Sequence, residues 1–218
     1  MWGDTMTSGG IASVEQTARH AFDFVLEGGA VDFDGAGRAL TTRECLLNPN
    51  RNADWSQSDA ETALQQAFGV TEVIWLNDGL RNDHTDGHID NLARFIGPGR
   101  VICQTPSGAD DPNADRLQAI EHDLRESGLE VLTIPSPGLI EDEDGMAVPA
   151  SHMNVLISNQ KIYLPTYEDT YAPLAKAQLE TYMPDYEVVD LPARHILSGG
   201  GAFHCMTQQI PALKEPVK

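Results

Sequence analysis

Cys205 closes a stretch in which glycine is the commonest residue: Ser198–Gln209 reads SGGGAFHCMTQQ. Gly199, Gly200 and Gly201 strip side chains from the backbone just before His204 and the thiol. A flat ligand, or another backbone, can therefore approach closely there. A second stretch, Asn82–Asn91 (NDHTDGHIDN), packs three aspartates and two histidines into ten residues. Three chemistries compete for it. His84 and His88 are four apart, which on a helix would suit zinc, with His204 as a further ligand. A solvated acidic loop would need no site. The third reading is catalytic and is preferred, because Gly87 and the crowding of polar residues argue against a helix. In a strand, His88 and Asp90 would share one face and present an imidazole and a carboxylate together beside Cys205. A thiol, an imidazole and carboxylates suit attack on a planar cationic carbon. The thiolate adds to the carbon, carboxylates hold the cation, and the histidine protonates a leaving amine and then activates water. A guanidinium fits this set, since its forked N–H groups match carboxylates two at a time. A bound cation would also lower the thiol pKa, so that the substrate partly activates its own nucleophile.

The bulk properties narrow the choice. The 218 residues allow one large domain or two small ones, and 41% hydrophobic residues can build a core. A net charge of −19 disfavours nucleic acid and anionic membranes, whose phosphates would be repelled, and is compatible with a small cationic substrate. Cys45, Cys103 and Cys205 are odd in number, widely spaced and free of any CxxC, which points away from a disulfide framework and towards a reduced cytoplasmic protein. Cys45 and Cys103 lie in apolar contexts and read as core residues. There is no apolar run of membrane-spanning length, and the first ten residues carry neither a basic nor a hydrophobic segment.

The elements that must position these residues repeat. Ile11–Phe22 reads as an amphipathic helix and Phe24–Leu26 as a short strand. Ala30–Phe33 and Arg38–Thr41 flank a hairpin turn at Asp34–Gly37. Ser58-Asp59-Ala60-Glu61 reads as a capping box opening a helix that runs through Phe68 and stops at Gly69, before a strand at Val70–Leu76. The same order recurs in His88–Ile96, Arg100–Gln104, a helix near Asn113–Ser127 and the strand Glu130–Ile134. It recurs again in His152–Ile157, Lys161–Pro165, a helix near Tyr171–Met183 and the strand Tyr186–Leu191. A fourth hairpin begins at Gly199. The turns at Gly35, Pro98 and Asn159 are 63 and 61 residues apart, and the helix stops at Gly69, Gly128 and Pro184 are 59 and 56 apart. So regular a period means repeated supersecondary units. Glu27, His88 with Asp90, Asn154 and Cys205 fall at matching points, in or just before each first hairpin strand. Around a pseudo-symmetry axis such side chains would meet.

LEGGAVDFDGAGRALTTRECLLNPNR, DHTDGHIDNLARFIGPGRV and GGGAFHCMTQQ, in that order, closely resemble the agmatine deiminase family, within the group that includes the bacterial peptidylarginine deiminases and other guanidino-group modifying enzymes. The resemblance runs from about Phe22 to Gln209. It implies an α/β fold, the pentein propeller of ββαβ units, as a single domain over residues 1–218. It implies hydrolysis of agmatine to N-carbamoylputrescine and ammonia through an amidino-cysteine, with no cofactor and no metal. Carried over, Cys205 is the nucleophile, His88 the general acid/base, and Asp90 and Glu27 are site carboxylates. Asp83, Asn154, Gly199, Gly200 and Gly201 contribute to substrate binding. His152 stands where the family more often has tyrosine. The family's Arg-Asp-x-Gly-Pro motif, which supplies another aspartate, has no counterpart, so the ring is expected to hold three full units plus partial ones. A completing partner chain or a homo-oligomer is the corresponding expectation, and loss of one carboxylate contact should cost about 1.5–3 kcal/mol of guanidinium binding. Deimination of peptidyl-arginine, and an inactive remnant that binds guanidines or a partner, are the alternative readings.

Overall fold

The computed structural model describes residues 4–14 and 18–210. Three small mixed sheets follow one another along the chain, each built in the same way. In the first, β1 (Val31–Phe33) pairs antiparallel with β2 (Arg38–Thr42), and β2 pairs parallel with β3 (Glu72–Leu76). A parallel return needs a crossover. Here the crossover contains the short α2 (Arg43–Leu46) and the longer α3 (Gln57–Phe68). The second unit has β4 (Ala93–Gly97), β5 (Arg100–Thr105), α4 (Ala114–Glu126) and β6 (Glu130–Pro135). The third has β7 (Leu156–Ser158), β8 (Lys161–Thr166), α5 (Ala172–Tyr182) and β9 (Glu187–Pro192). The helices α1 (Asp4–Val14) and α6 (Arg194–Leu197) flank these units. Among the described residues no helix is long and apolar enough to cross a membrane.

Local chemistry explains the joints. Asn159 and Gln160 both take positive φ, 51° and 65°, which gives the tight turn that matches the twist of the β7–β8 hairpin. Gly69 ends α3 in the left-handed region at φ 70°. Asp169 accepts from the N–H groups of Tyr171 and Ala172 and so caps the start of α5.

Packing sets the three units side by side. Strand β5 is buried on both faces. Val101 and Cys103 join a core shared with Leu40, Ile74 and Leu76 of the first sheet. Ile102, pointing the other way, joins Ile162, Leu164 and Val188 of the third. The middle unit is thus wedged between its neighbours. Polar ties near the inner strands repeat the pattern. Asp32 of β1 accepts from the Phe95 N–H (2.6 Å) and faces Arg94 (3.3 Å), and Arg94 donates on to the Val155 carbonyl (2.9 Å).

Several expectations need correction. The N-terminal helix covers Asp4–Val14, not Ile11–Phe22; residues 15–17 lie outside the described residues, and 18–22 are exposed without regular structure. Phe24–Leu26 is no strand, because the Asn52 side chain takes both the N–H and the carbonyl of Val25 that a neighbouring strand would have paired. The capping box is Ser56 with Asp59, while Glu61 instead accepts from Gln57 and Trp75. Strands β4 and β7 begin at Ala93 and Leu156, later than His88 and His152. From Gly199 onward the described chain makes turns and no hairpin.

Candidate active site

His88 and Asp90 do not share a strand face. His88 caps a single 3₁₀ turn, Ile89–Asn91, that leads into β4. His88, Asp90 and Asn91 are all buried there. The stretch before it is held from outside. Arg51 places its Nε 2.8 and 2.9 Å from the two oxygens of Glu27, its Nη1 3.1 Å from Asp86 and its Nη2 2.8 Å from the Thr85 carbonyl. One guanidinium therefore ties Glu27, from the first unit, to the loop that delivers His88. Asp83 folds that loop on itself by accepting from the N–H and hydroxyl of Thr85.

Cys205 arrives from the other end of the chain. Its sulfur lies 3.3 Å from Asp90 Oδ2 and 3.0 Å from Asn154 Nδ2. The His204 ring nitrogen Nδ1 meets the same Asp90 oxygen at 2.8 Å. Asn154 organises this loop. Its Oδ1 accepts from the N–H groups of Ala202 (3.0 Å), His204 (3.0 Å) and Cys205 (3.3 Å), and its Nδ2 also donates to Asn91 Oδ1 (2.9 Å). Three converging donors fix which way the amide points. They engage its acceptor, so Asn154 holds the nucleophile loop in place.

Two glycines make the approach possible. A Cβ on Gly201 would stand 2.3 Å from the Cys205 sulfur. A Cβ on Gly29 would stand 2.6 Å from Asp90 Oδ2 and 2.7 Å from His88 Nδ1. Gly200, at φ 92°, passes His84. Gly199 is exposed and backs onto the Ile196 carbonyl, away from the thiol.

The electrostatics of the cluster are dominated by burial and by its carboxylates. Cys205 is exposed as a residue, but its sulfur turns inward; burial first, and the Asp90 charge second, push the thiol up to about 12. Glu27 is held down to about 2, by His88 foremost and by Arg51, against a smaller opposing effect of burial. His88 Nε2 is 3.9 Å from Glu27 Oε1, longer than an ordinary hydrogen bond. Because the folded pKa of Glu27 is depressed, its stabilising share is present above about 4.5 and lost as pH falls through about 2. Glu27→Gln should therefore flatten the melting temperature between pH 5 and 2 relative to the wild type; an unchanged slope would remove Glu27 from the acid response.

Four buried atoms of this region have no hydrogen-bond partner among the described residues: Asp90 Oδ1, His88 Nε2, Asn91 Nδ2 and Asp83 Oδ2. Of the residues singled out from sequence, Cys205, His88, Asp90, Glu27, Asn154 and Gly201 converge, and Asp83 and Gly200 lie in the two loops that meet. Cys45 and Cys103 are buried, as expected of core residues. Arg51, Asn91 and Gly29 were missed as site residues. Arg51 had a signal: it is one of 14 basic residues among 33 acidic ones, inside a stretch already marked by its likeness to the family.

Three successive ββαβ units, with a thiol, an imidazole and carboxylates gathered where they meet, define a pentein. The chain belongs to the Porphyromonas-type peptidyl-arginine deiminase family, whose model matches residues 2–211. It is 41% identical over 226 residues to the agmatine deiminase of Pseudomonas aeruginosa, covering 93% of this chain and 61% of that protein. Among solved structures it resembles the agmatine deiminase of Enterococcus faecalis (TM-score 0.86, 32% identity, 93% of this chain and 62% of that one). It likewise resembles a cysteine-to-serine variant of C. jejuni agmatine deiminase with substrate bound (TM-score 0.85, 30% identity, 92% and 60%). The chain thus spans about three-fifths of the length of these relatives.

Proposed function

We propose that the chain deiminates agmatine to N-carbamoylputrescine and ammonia, through an amidino group carried on Cys205, as one cytoplasmic pentein domain without a cofactor. The observation that carries this reading is the buried Asp90 Oδ1, an acceptor with no partner among the described residues, in the cluster that holds the thiol. Leaving a buried acceptor unpaired costs about 1–3 kcal/mol. A guanidinium brings five N–H donors and a positive charge and removes that cost.

In the proposed sequence the cation settles against Asp90 and Glu27, and its charge offsets the effects that keep the thiol protonated. The thiol proton passes to His88 and the sulfur bonds to the guanidinium carbon. His88 returns the proton to one nitrogen, the C–N bond breaks and ammonia departs. A water molecule, deprotonated by His88, then attacks the amidino carbon, and the C–S bond breaks to give the urea product and free thiolate. Asp90 and Glu27 bind charge throughout.

The test is ammonia release from agmatine compared with peptidyl-arginine. Turnover of agmatine with little from the peptide supports the reading; preference for the peptide replaces the substrate; no turnover of either sinks it. Asn154 supplies a further check. Asn154→Asp keeps an acceptor for the three N–H groups but replaces the donor to sulfur with a charge. Losing a charge-assisted bond of about 1.5–3 kcal/mol predicts roughly tenfold to hundredfold slower alkylation of Cys205 at fixed pH. An unchanged alkylation rate would remove the Asn154–sulfur contact from the account.

A further inference from the structure

Cys45 is a second thiol close to the site, and the reaction proposed above does not use it. It sits in α2, fully buried, with its thiol pushed up to about 12 by burial. One ligand atom each from Cys45, Glu27 and His88 lie within 4.8 Å of one another. His88 Nε2 is buried and unpartnered among the described residues.

We propose that Glu27, Cys45 and His88 form an inhibitory site for one soft divalent cation of the zinc type. Sulfur, imidazole nitrogen and one carboxylate oxygen are the donors that zinc takes, at about 2.0–2.3 Å, so an ion among them needs these atoms to close in by about 1 Å. The thiolate selects against magnesium and calcium, which favour oxygen. Three protein donors leave a fourth position for water. Arg51 already holds the Glu27 carboxylate through both of its oxygens, as hydrogen-bonding partners of metal-binding carboxylates do. Its positive charge, only 2.8 Å from Glu27, opposes permanent occupancy, which makes the ion a reversible ligand and not a resident one. On binding, the metal–sulfur bond forms as the thiol proton passes to buffer. Inhibition follows because the ion occupies His88 and Glu27. That consequence rests on the deiminase reading; the binding does not.

The experiment is therefore run on the purified chain without substrate. Zinc is titrated calorimetrically, and cadmium is added separately to read the metal–thiolate absorption band. One equivalent should bind. Cys45→Ser should weaken zinc about 10–100-fold or more, by analogy with the loss of supporting residues around metal sites. Cys205→Ser should bind as the wild type does and keep the cadmium band, which needs no alteration of the core. Wild-type zinc affinity in Cys45→Ser, or loss of the band in Cys205→Ser, would overturn the proposal, the second outcome by moving the ion to Cys205. Ammonia release from agmatine is measured apart, so a failed metal site and a failed deiminase reading are told apart.

Discussion

Cys205→Ser is expected to lower ammonia release from agmatine by about 1,000-fold or more while leaving the melting temperature near that of the wild type. The activity loss follows from replacing a sulfur that can form and release an amidino bond with an oxygen that holds its proton far more tightly. Stability is spared because the residue is exposed and the loop is held by other atoms. The three N–H groups that Asn154 Oδ1 accepts belong to the backbone of residues 202, 204 and 205, and serine keeps all of them. Asp90 keeps its second partner, His204. Mass spectrometry of the wild-type chain quenched during turnover should show an added amidino group on Cys205. Near-normal rates in the serine variant, or an adduct on Cys45 or Cys103, would end the covalent mechanism.

The high resting pKa of the thiol is part of the same argument. At about 12 the thiol is protonated at neutral pH, so the empty site is a poor nucleophile. The carboxylates responsible for much of the local charge are also the groups that bind a cation. A site that attacks only when a guanidinium neutralises it guards its own sulfur against other electrophiles. Slow alkylation of the empty chain, accelerated by a bound unreactive guanidine, is the expected signature. Alkylation at the rate of an ordinary exposed cysteine would contradict it.

The units were legible in sequence because each repeats the same local signals. The Asp34–Gly37 turn, the glycines at the ends of α3 and α4 and the 3.6-residue spacing of α4 are read without tertiary knowledge. The site was legible in its members but not in its geometry. His88 and Asp90 were placed on one face of a strand; they converge through a 3₁₀ turn because Gly29 lets the first unit press against both. That contact is between units and leaves no local signature. The role of Arg51 was illegible for a related reason, although its stretch was marked. Its partners Glu27, Thr85 and Asp86 lie 24 to 35 positions away, and only tertiary folding brings them together. The irregular stretch around Val25 was misread because an asparagine side chain can imitate a strand partner.

Gly201→Ala should lower kcat by about 100-fold, the loss expected when a reacting group is misplaced by about 1 Å. The added methyl would stand 2.3 Å from the Cys205 sulfur and 2.8 Å from its Cβ, well inside contact distance. Gly201 is not in the left-handed region that only glycine favours, so alanine is allowed by the backbone and the penalty is purely one of space. The sulfur sits at the end of a short side chain and gives way first, which moves it off Asp90 and Asn154 and away from the bound carbon. The fold has little reason to suffer. Two neighbours make the controls. Gly199→Ala adds its methyl 3.3 Å from the Ile196 carbonyl, with no atom of Cys205 among its nearest neighbours, and should change kcat little. Gly200→Ala forces φ 92° on a residue with a side chain and should reduce stability as well as rate. If Gly201→Ala turns over agmatine at the wild-type rate, the close passage of that glycine beside the thiol has no part in catalysis, and the glycine run is a turn like any other.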